Sequence, residues 1–122
     1  MSRFIIRSLD SYNEKSYEIV TGKKTETSEA IEYEYLSKLG KCKISVLEDR
    51  VIIDRDNNGI ATILDVDMKR ETEFVYYGEG FKKVFSLKGE KISYKDNILD
   101  FSYRILDGGE EVNLISITIK EY

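Results

Sequence analysis

The spacing most able to do chemistry in this chain is DRDNNGIATILD, residues 54 to 65. Asp54, Asp56 and Asn58 stand at the first, third and fifth positions of a calcium-loop pattern, with Gly59 at the sixth and Asp65 at the twelfth. Oxygen ligands at these intervals converge on an ion when a helix enters the loop and another leaves it. The flanks here, Val51-Ile52-Ile53 and Ala61-Thr62-Ile63, are β-branched and strand-like, so the segment reads as a hairpin around a tight Asn-Asn-Gly turn and no metal is expected. Asp65 and Asp67 lie two apart on one strand face, which a charged hairpin end explains.

The sequence contains no histidine. Ser-His-Asp and Cys-His nucleophile systems, histidine-containing zinc sites and a histidine general base are therefore absent. No two carboxylates fall on a predicted interior face, where burial could raise a pKa for acid-base work. The single cysteine, Cys42, alternates with apolar neighbours and reads as a small buried hydrophobe. No glycine-rich loop opens a helix, so nothing cradles a phosphate. These absences predict a protein without enzymatic activity and without a cofactor.

Phe81-Lys82-Lys83-Val84-Phe85 interleaves bases with aromatics, as some RNA-binding strands do. The chain nevertheless carries 23 acids against 19 bases, a net charge of −4, with both signs dispersed. Phosphate recognition needs a concentrated basic face, so no nucleic-acid partner is expected. The start, MSRFIIRSLDSYNE, interrupts its apolar run at Arg7, too early for a signal core or a membrane span. With one cysteine, a cytoplasmic location and no membrane association are expected.

The elements that must position these residues are strands. Apolar and polar residues alternate with period two through Ile31, Tyr33 and Tyr35, through Cys42, Ile44 and Val46, through Thr72, Phe74 and Tyr76, and through Phe81, Phe85 and Leu87. Leu99, Phe101, Tyr103 and Ile105 repeat it, and Ile115, Ile117 and Ile119 close the chain on one parity. Residues 65 to 72, DVDMKRET, form a charged turn entering a strand. Turn signals fall at Leu39-Gly40, Asn57-Asn58-Gly59, Gly78-Glu79-Gly80, Gly89-Glu90, Asp96-Asn97 and Gly108-Gly109. The 122 residues make one domain, 1–122. Its fold class is all-β: a single closed antiparallel up-and-down barrel of about eight to ten strands, with closure removing edges that no proline blunts.

Parity places Arg55 on the face shared by Val51 and Ile53, and Tyr33, Tyr35, Thr72, Tyr76 and Tyr103 on the inward faces of their strands. One reading makes these six a ligand site in or at the mouth of the barrel, for a small apolar or aromatic molecule bearing an anionic group. The other pairs Arg55 with Glu32 or Asp54 at the rim and leaves the tyrosines as core aromatics whose hydroxyls reach solvent. In that case the barrel is filled and serves as a protein-interaction or scaffold module; a protein partner or self-association stays open.

In their order along the chain, IEYEYL (31–36), KCKISV (41–46), VIIDR (51–55), VYYGEGF (75–81), FSYRIL (101–106) and ISITIKE (115–121) make the sequence similar to the YwiB-like bacterial family. The resemblance implies a calycin-like, lipocalin-like barrel, an architecture whose members include binders of apolar ligands. It implies no residue roles, since fold alone does not fix function.

Overall fold

A computed structural model describes residues 1–38, 40–57 and 59–122, with Asn57 and Ile60 described in their backbone alone. Leu39 and Asn58, assigned to two of the turns and, for Asn58, to the calcium-like spacing, lie outside the described residues. Ten strands follow in order: β1 (Ser2–Leu9), β2 (Lys15–Glu26), β3 (Ile31–Ser37), β4 (Gly40–Val46), β5 (Arg50–Asn57), β6 (Ile60–Asp67), β7 (Thr72–Gly78), β8 (Phe81–Lys95), β9 (Ile98–Asp107) and β10 (Glu110–Glu121). No described residue is helical, so no helix is long and apolar enough to cross a membrane.

The strands form one antiparallel sheet in the order β6-β5-β4-β3-β2-β1-β10-β9-β8-β7. The chain thus begins in the middle of the sheet, meanders to the β6 edge, crosses to the β7 edge and meanders back until β10 lies beside β1. Each hairpin is local, as the turn residues require: Asp96 and Asn97 take φ values of 55° and 63°, the left-handed pair that a two-residue hairpin turn demands. Bonds from the Tyr12 hydroxyl to the Val112 carbonyl and from Ser11 to the Asn113 side chain tie the β1–β2 turn to the start of β10.

Inward parity fills the waist. Phe4, Tyr33, Ile44, Val51, Ile53, Val66, Leu87, Leu99, Phe101 and Ile119 are all fully buried, and Phe4 meets the edge of the Tyr33 ring at 5.4 Å between centroids. On the outer face of β2 to β5 the register sets Lys23, Glu34, Lys43 and Asp54 in one row of alternating charge, which supports that register from outside.

Two glycines let the sheet curl. A methyl group at Gly22 would stand 2.2 Å from the Glu34 carbonyl oxygen and 2.9 Å from the Tyr35 β-carbon, so β2 and β3 approach more closely there than any side chain permits. Gly89 corrects an expectation, because Gly89-Glu90 is no turn. β8 runs through it from Phe81 to Lys95, with its register against β9 shifting between Gly89 and Lys91. The physical reason is contact: a methyl group on Gly89 would meet the Asp67 carbonyl oxygen at 2.9 Å.

That contact belongs to the seam where the sheet closes on itself. β6 packs against β7 and β8 without a strand ladder between β6 and β7. The Thr72 hydroxyl crosses the gap to donate to the Asp65 carbonyl, and on the other side of β6 the Met68 backbone amide donates to the Asp49 carbonyl at 3.0 Å. Arg50 bonds both carboxylate oxygens of Asp65 through Nε at 3.1 Å and Nη2 at 2.7 Å. Asp67, the one buried charged residue among those described, accepts from the Lys69 amide at 2.8 Å and from Arg70 Nε at 3.0 Å.

The Lys69 amide, helped by Arg70 and Arg50, holds the Asp67 carboxyl below its ordinary range. A depressed folded pKa contributes stability above the unfolded value of about 3.9, and that contribution is lost as pH falls through the lower folded value. Urea midpoints should therefore drop as pH is lowered below about 4, and Asp67→Asn should be less stable at pH 7 with a flatter acid limb. Gly22→Ala should lower stability by about 1 to 3 kcal/mol or more, whereas the exposed neighbour change Thr21→Ala should leave it nearly unchanged. An unaltered melting temperature in Gly22→Ala would contradict the close approach.

Candidate functional site

An up-and-down barrel gathers alternate turns at each end, so this molecule has two mouths. One is framed by the β1–β2, β3–β4, β5–β6, β7–β8 and β9–β10 turns, and Arg55 lies on β5 two residues before the end of its strand. The register row Gly22, Tyr35, Cys42, Arg55, Thr62 crosses β2 to β6 just inside this mouth. Arg55 shares its face with the fully buried Val51 and Ile53 and is itself half-buried, as inward parity requires at a strand end.

Tyr35 and Tyr103, on walls either side of Arg55, are buried, 9% and 3% exposed. Burial raises the hydroxyl pKa of both tyrosines well above the ordinary phenol range, and in both the Arg55 charge acts in the opposite direction. The guanidinium thus lies within electrostatic reach of β3 on one wall and β9 on the other. Cys42, register partner of Tyr35, shares the same row and is buried beside it.

Neither acid considered as a partner reaches Arg55. Glu32 pairs with Lys43 at 3.6 Å, and Asp54 points to the outer face. Glu18, the acid that acts on Tyr35 at this mouth, accepts the Lys38 amide at 3.0 Å. Among the described residues the Arg55 side chain forms no ion pair and no hydrogen bond.

The other residues of the parity set disperse. Tyr33 lies deeper, against Phe4, with its hydroxyl buried and not reaching solvent. Thr72 is engaged at the seam. Tyr76 keeps inward parity but is 50% exposed, because the β7–β8 hairpin projects past the barrel, where Tyr76 meets Phe81 at a tilt and Phe85 edge-on instead. Of the six residues, Arg55, Tyr35 and Tyr103 come together.

The calcium-like spacing does not converge. Asp56 accepts the Gly59 amide at 3.2 Å within the hairpin turn, while Asp65 stands opposite Ile52 and binds Arg50. Among the described residues no three acids or thiols form a group able to hold a metal ion. On the outer face an open groove of about 720 Å³ passes Lys23, Lys41, Lys43, Glu34, Asp54 and Asp56, a mixed-charge surface.

Sequence reasoning missed a second inward cation. Lys24 on β2 has a side chain only 8% exposed, donates to the Tyr94 hydroxyl, lies 4.9 Å from the centre of the Tyr94 ring and faces Glu121 at 3.7 Å. The signal was its parity with Val20 and Gly22, obscured because Tyr17 and Ile19 on the other parity are exposed.

Ten antiparallel strands wound around a filled waist, with an arginine inside one mouth, define a meander β-barrel with polar openings. No protein-family model and no curated protein matches the chain. Among solved structures, the crystal structure of the ywiB protein from Bacillus subtilis aligns with a TM-score of 0.74 at 15% identity, covering 99% of this chain and 91% of that one. At this identity the likeness shows the fold, and the YwiB-like resemblance of the sequence holds at that level.

Cys42 is 5% exposed, so a thiol reagent such as Ellman's should label it only as fast as the barrel opens, with complete reaction in denaturant. Immediate stoichiometric labelling of the native protein would contradict the placement.

Proposed function

We propose that this protein is a non-catalytic binding barrel that takes a small apolar or aromatic molecule bearing one anionic group at the Arg55 mouth. The observation that supports the reading most is an inward, half-buried guanidinium without an anionic partner among the described residues, set between two buried tyrosines. A cation partly withdrawn from water gains from a partner, and a carboxylate held in two-point fashion would supply one. Tyr35 and Tyr103 supply flat apolar surface beside it, and their hydroxyls stay neutral donors throughout the physiological pH range.

The filled waist sets the ligand at the mouth, in contrast to calycin-like barrels that hold an apolar ligand in a hollow interior. We further propose a cytoplasmic location, consistent with one reduced, buried thiol.

A second reading, a protein-interaction module, has its own observation. Tyr76 and Phe81 on one face of the β7–β8 hairpin, and Tyr77 and Val84 on its other face, are each at least half exposed, apolar surface on a hairpin that lacks a strand ladder to β6.

Native mass spectrometry of the protein purified from cells separates the two: a bound small anion supports the first reading, a bound polypeptide the second. With an anionic ligand in hand, Arg55→Met should weaken binding by about 1.5 to 3 kcal/mol, the worth of a charged hydrogen bond, without lowering the melting temperature. Unchanged affinity in Arg55→Met would overturn the Arg55 site.

A further inference from the structure

The outer wall of the barrel is uneven in charge. β1 pairs with β2 on one side and with β10 on the other, so the outward residues of these three strands form one continuous face. Arg3 and Arg7 on β1, Lys15 on β2 and Lys120 on β10 stand on it, and across Arg3–Leu9, Lys15–Thr21 and Ser116–Lys120 no outward residue is an acid. The face carries +4 in a chain of net charge −4, which leaves −8 for the rest. None of the four cations forms an ion pair with a described residue.

Apolar side chains stand between the cations. The register sets Ile5 against Ile19, Arg7 against Tyr17 and Leu9 against Lys15, and Leu9, Tyr17 and Ile19 are exposed. Arg7 Cζ lies 5.6 Å from the centre of the Tyr17 ring. An open groove of about 430 Å³ is lined there by Arg7, Lys15, Tyr17, Ser116 and Thr118, with Leu9 among them.

We propose that this face docks peripherally on an anionic phospholipid surface, with its cations among the headgroup phosphates, its apolar side chains in the interfacial layer and one headgroup in the groove. Cations interleaved with aliphatic and aromatic side chains match both components of such a surface, whereas a nucleic-acid strand would match the cations and leave Ile5, Leu9 and Ile19 without a partner. Area argues against a protein partner. Three strands about 4.8 Å apart and about seven residues long span about 340 Å², well short of the roughly 800 Å² that each side of a stable protein interface buries. Acids elsewhere do not cancel the attraction, because ten strands wind a wall roughly 15 Å or more across and charge is screened within about 8 Å at physiological salt. A peripheral contact needs no spanning segment, so the interrupted N-terminal run, which argues against a span, does not argue against docking.

The test is flotation of the full chain with two sets of vesicles, phosphatidylcholine alone and phosphatidylcholine mixed with phosphatidylglycerol, at physiological salt. The mixed vesicles should carry the protein and the neutral ones should not. Each cation near a charged bilayer is worth about fivefold in partitioning, so Arg7→Gln combined with Lys15→Gln should weaken binding about 25-fold. Tyr17→Ser combined with Ile19→Ser should weaken it as well, through lost apolar contact. Lys82→Gln combined with Lys95→Gln, an equal loss of charge at exposed residues outside this face, should change it little. Equal flotation with neutral vesicles, flotation with neither set, or equal losses in the two charge variants would overturn the proposal. So would tighter binding of single-stranded oligothymidylate through Arg7 and Lys15, or release from the mixed vesicles by millimolar glycerol phosphate, which would make the groove a site for a free phosphate ester. Arg55→Met should float as the unaltered protein does, so this face and the Arg55 mouth are tested separately.

Discussion

Closing a ten-stranded sheet whose two edges share no strand ladder is the constraint on which this structure depends. Every interior residue is dry only if β6 and β7 meet, yet the ordinary glue of a barrel, the backbone ladder, is missing between them. The seam is instead held by an apolar layer that includes Val66 and Leu87, by close backbone approach at Gly89 and by the Thr72 hydroxyl bonded to the Asp65 carbonyl, while the ionic cluster of Arg50, Asp65, Asp67 and Arg70 braces β5, β6 and the turn that leads into β7. Exposed ion pairs contribute little singly, but Asp67 is buried and multiply bonded, and a network in one place fixes geometry as well as energy. Glycine at positions 22 and 89 follows from the same requirement, since curling a sheet brings backbones nearer than a β-carbon allows.

Once the cylinder is closed, parity does the rest. In the middle of each strand an inward side chain must be apolar, and the buried aromatic and aliphatic residues leave the waist filled. Near the ends an inward side chain can reach solvent, so charge is tolerated: Arg55 and Glu18 occur at one mouth, Lys24 and Glu121 at the other. The two cations are treated differently. Lys24 is nearly dry and has an acid, a hydroxyl and an aromatic face around it, whereas Arg55 is half-wet and has aromatic walls but no ion pair among the described residues. An inward cation without an ion pair among the described residues is the ground on which an anion is proposed for the Arg55 mouth.

Much of this architecture is legible in the residue pattern. The alternation of Tyr33, Tyr35, Cys42, Ile44, Val51, Ile53, Phe101 and Tyr103 gave strands with correct inward faces, because one-sided burial writes period two directly into residue type. Arg55 followed from the same count. The failures have physical causes: Gly89 looks like a turn residue because a glycine required by a neighbouring backbone cannot be told from one required by a turn. Tyr76 has the right parity but its hairpin outruns the barrel, and parity says nothing about where a partner layer ends. β1 and β2 gave weak signals because Tyr17 and Ile19 face outward while Glu18, Gly22 and Lys24 face inward, reversing the usual distribution of polarity. The contacts that matter most at the mouths, such as Lys24 with Tyr94, join residues far apart in the chain.

Native-state hydrogen exchange tests the seam most directly. A cylinder closed by side chains at β6 and β7, and by a continuous ladder elsewhere, should open first at that line. Amides of β6 and β7 should then exchange about a hundredfold or more faster than those of β1 and β10, which only global unfolding releases. Equal protection in all four strands would contradict this account, for it would mean that the sheet has no seam.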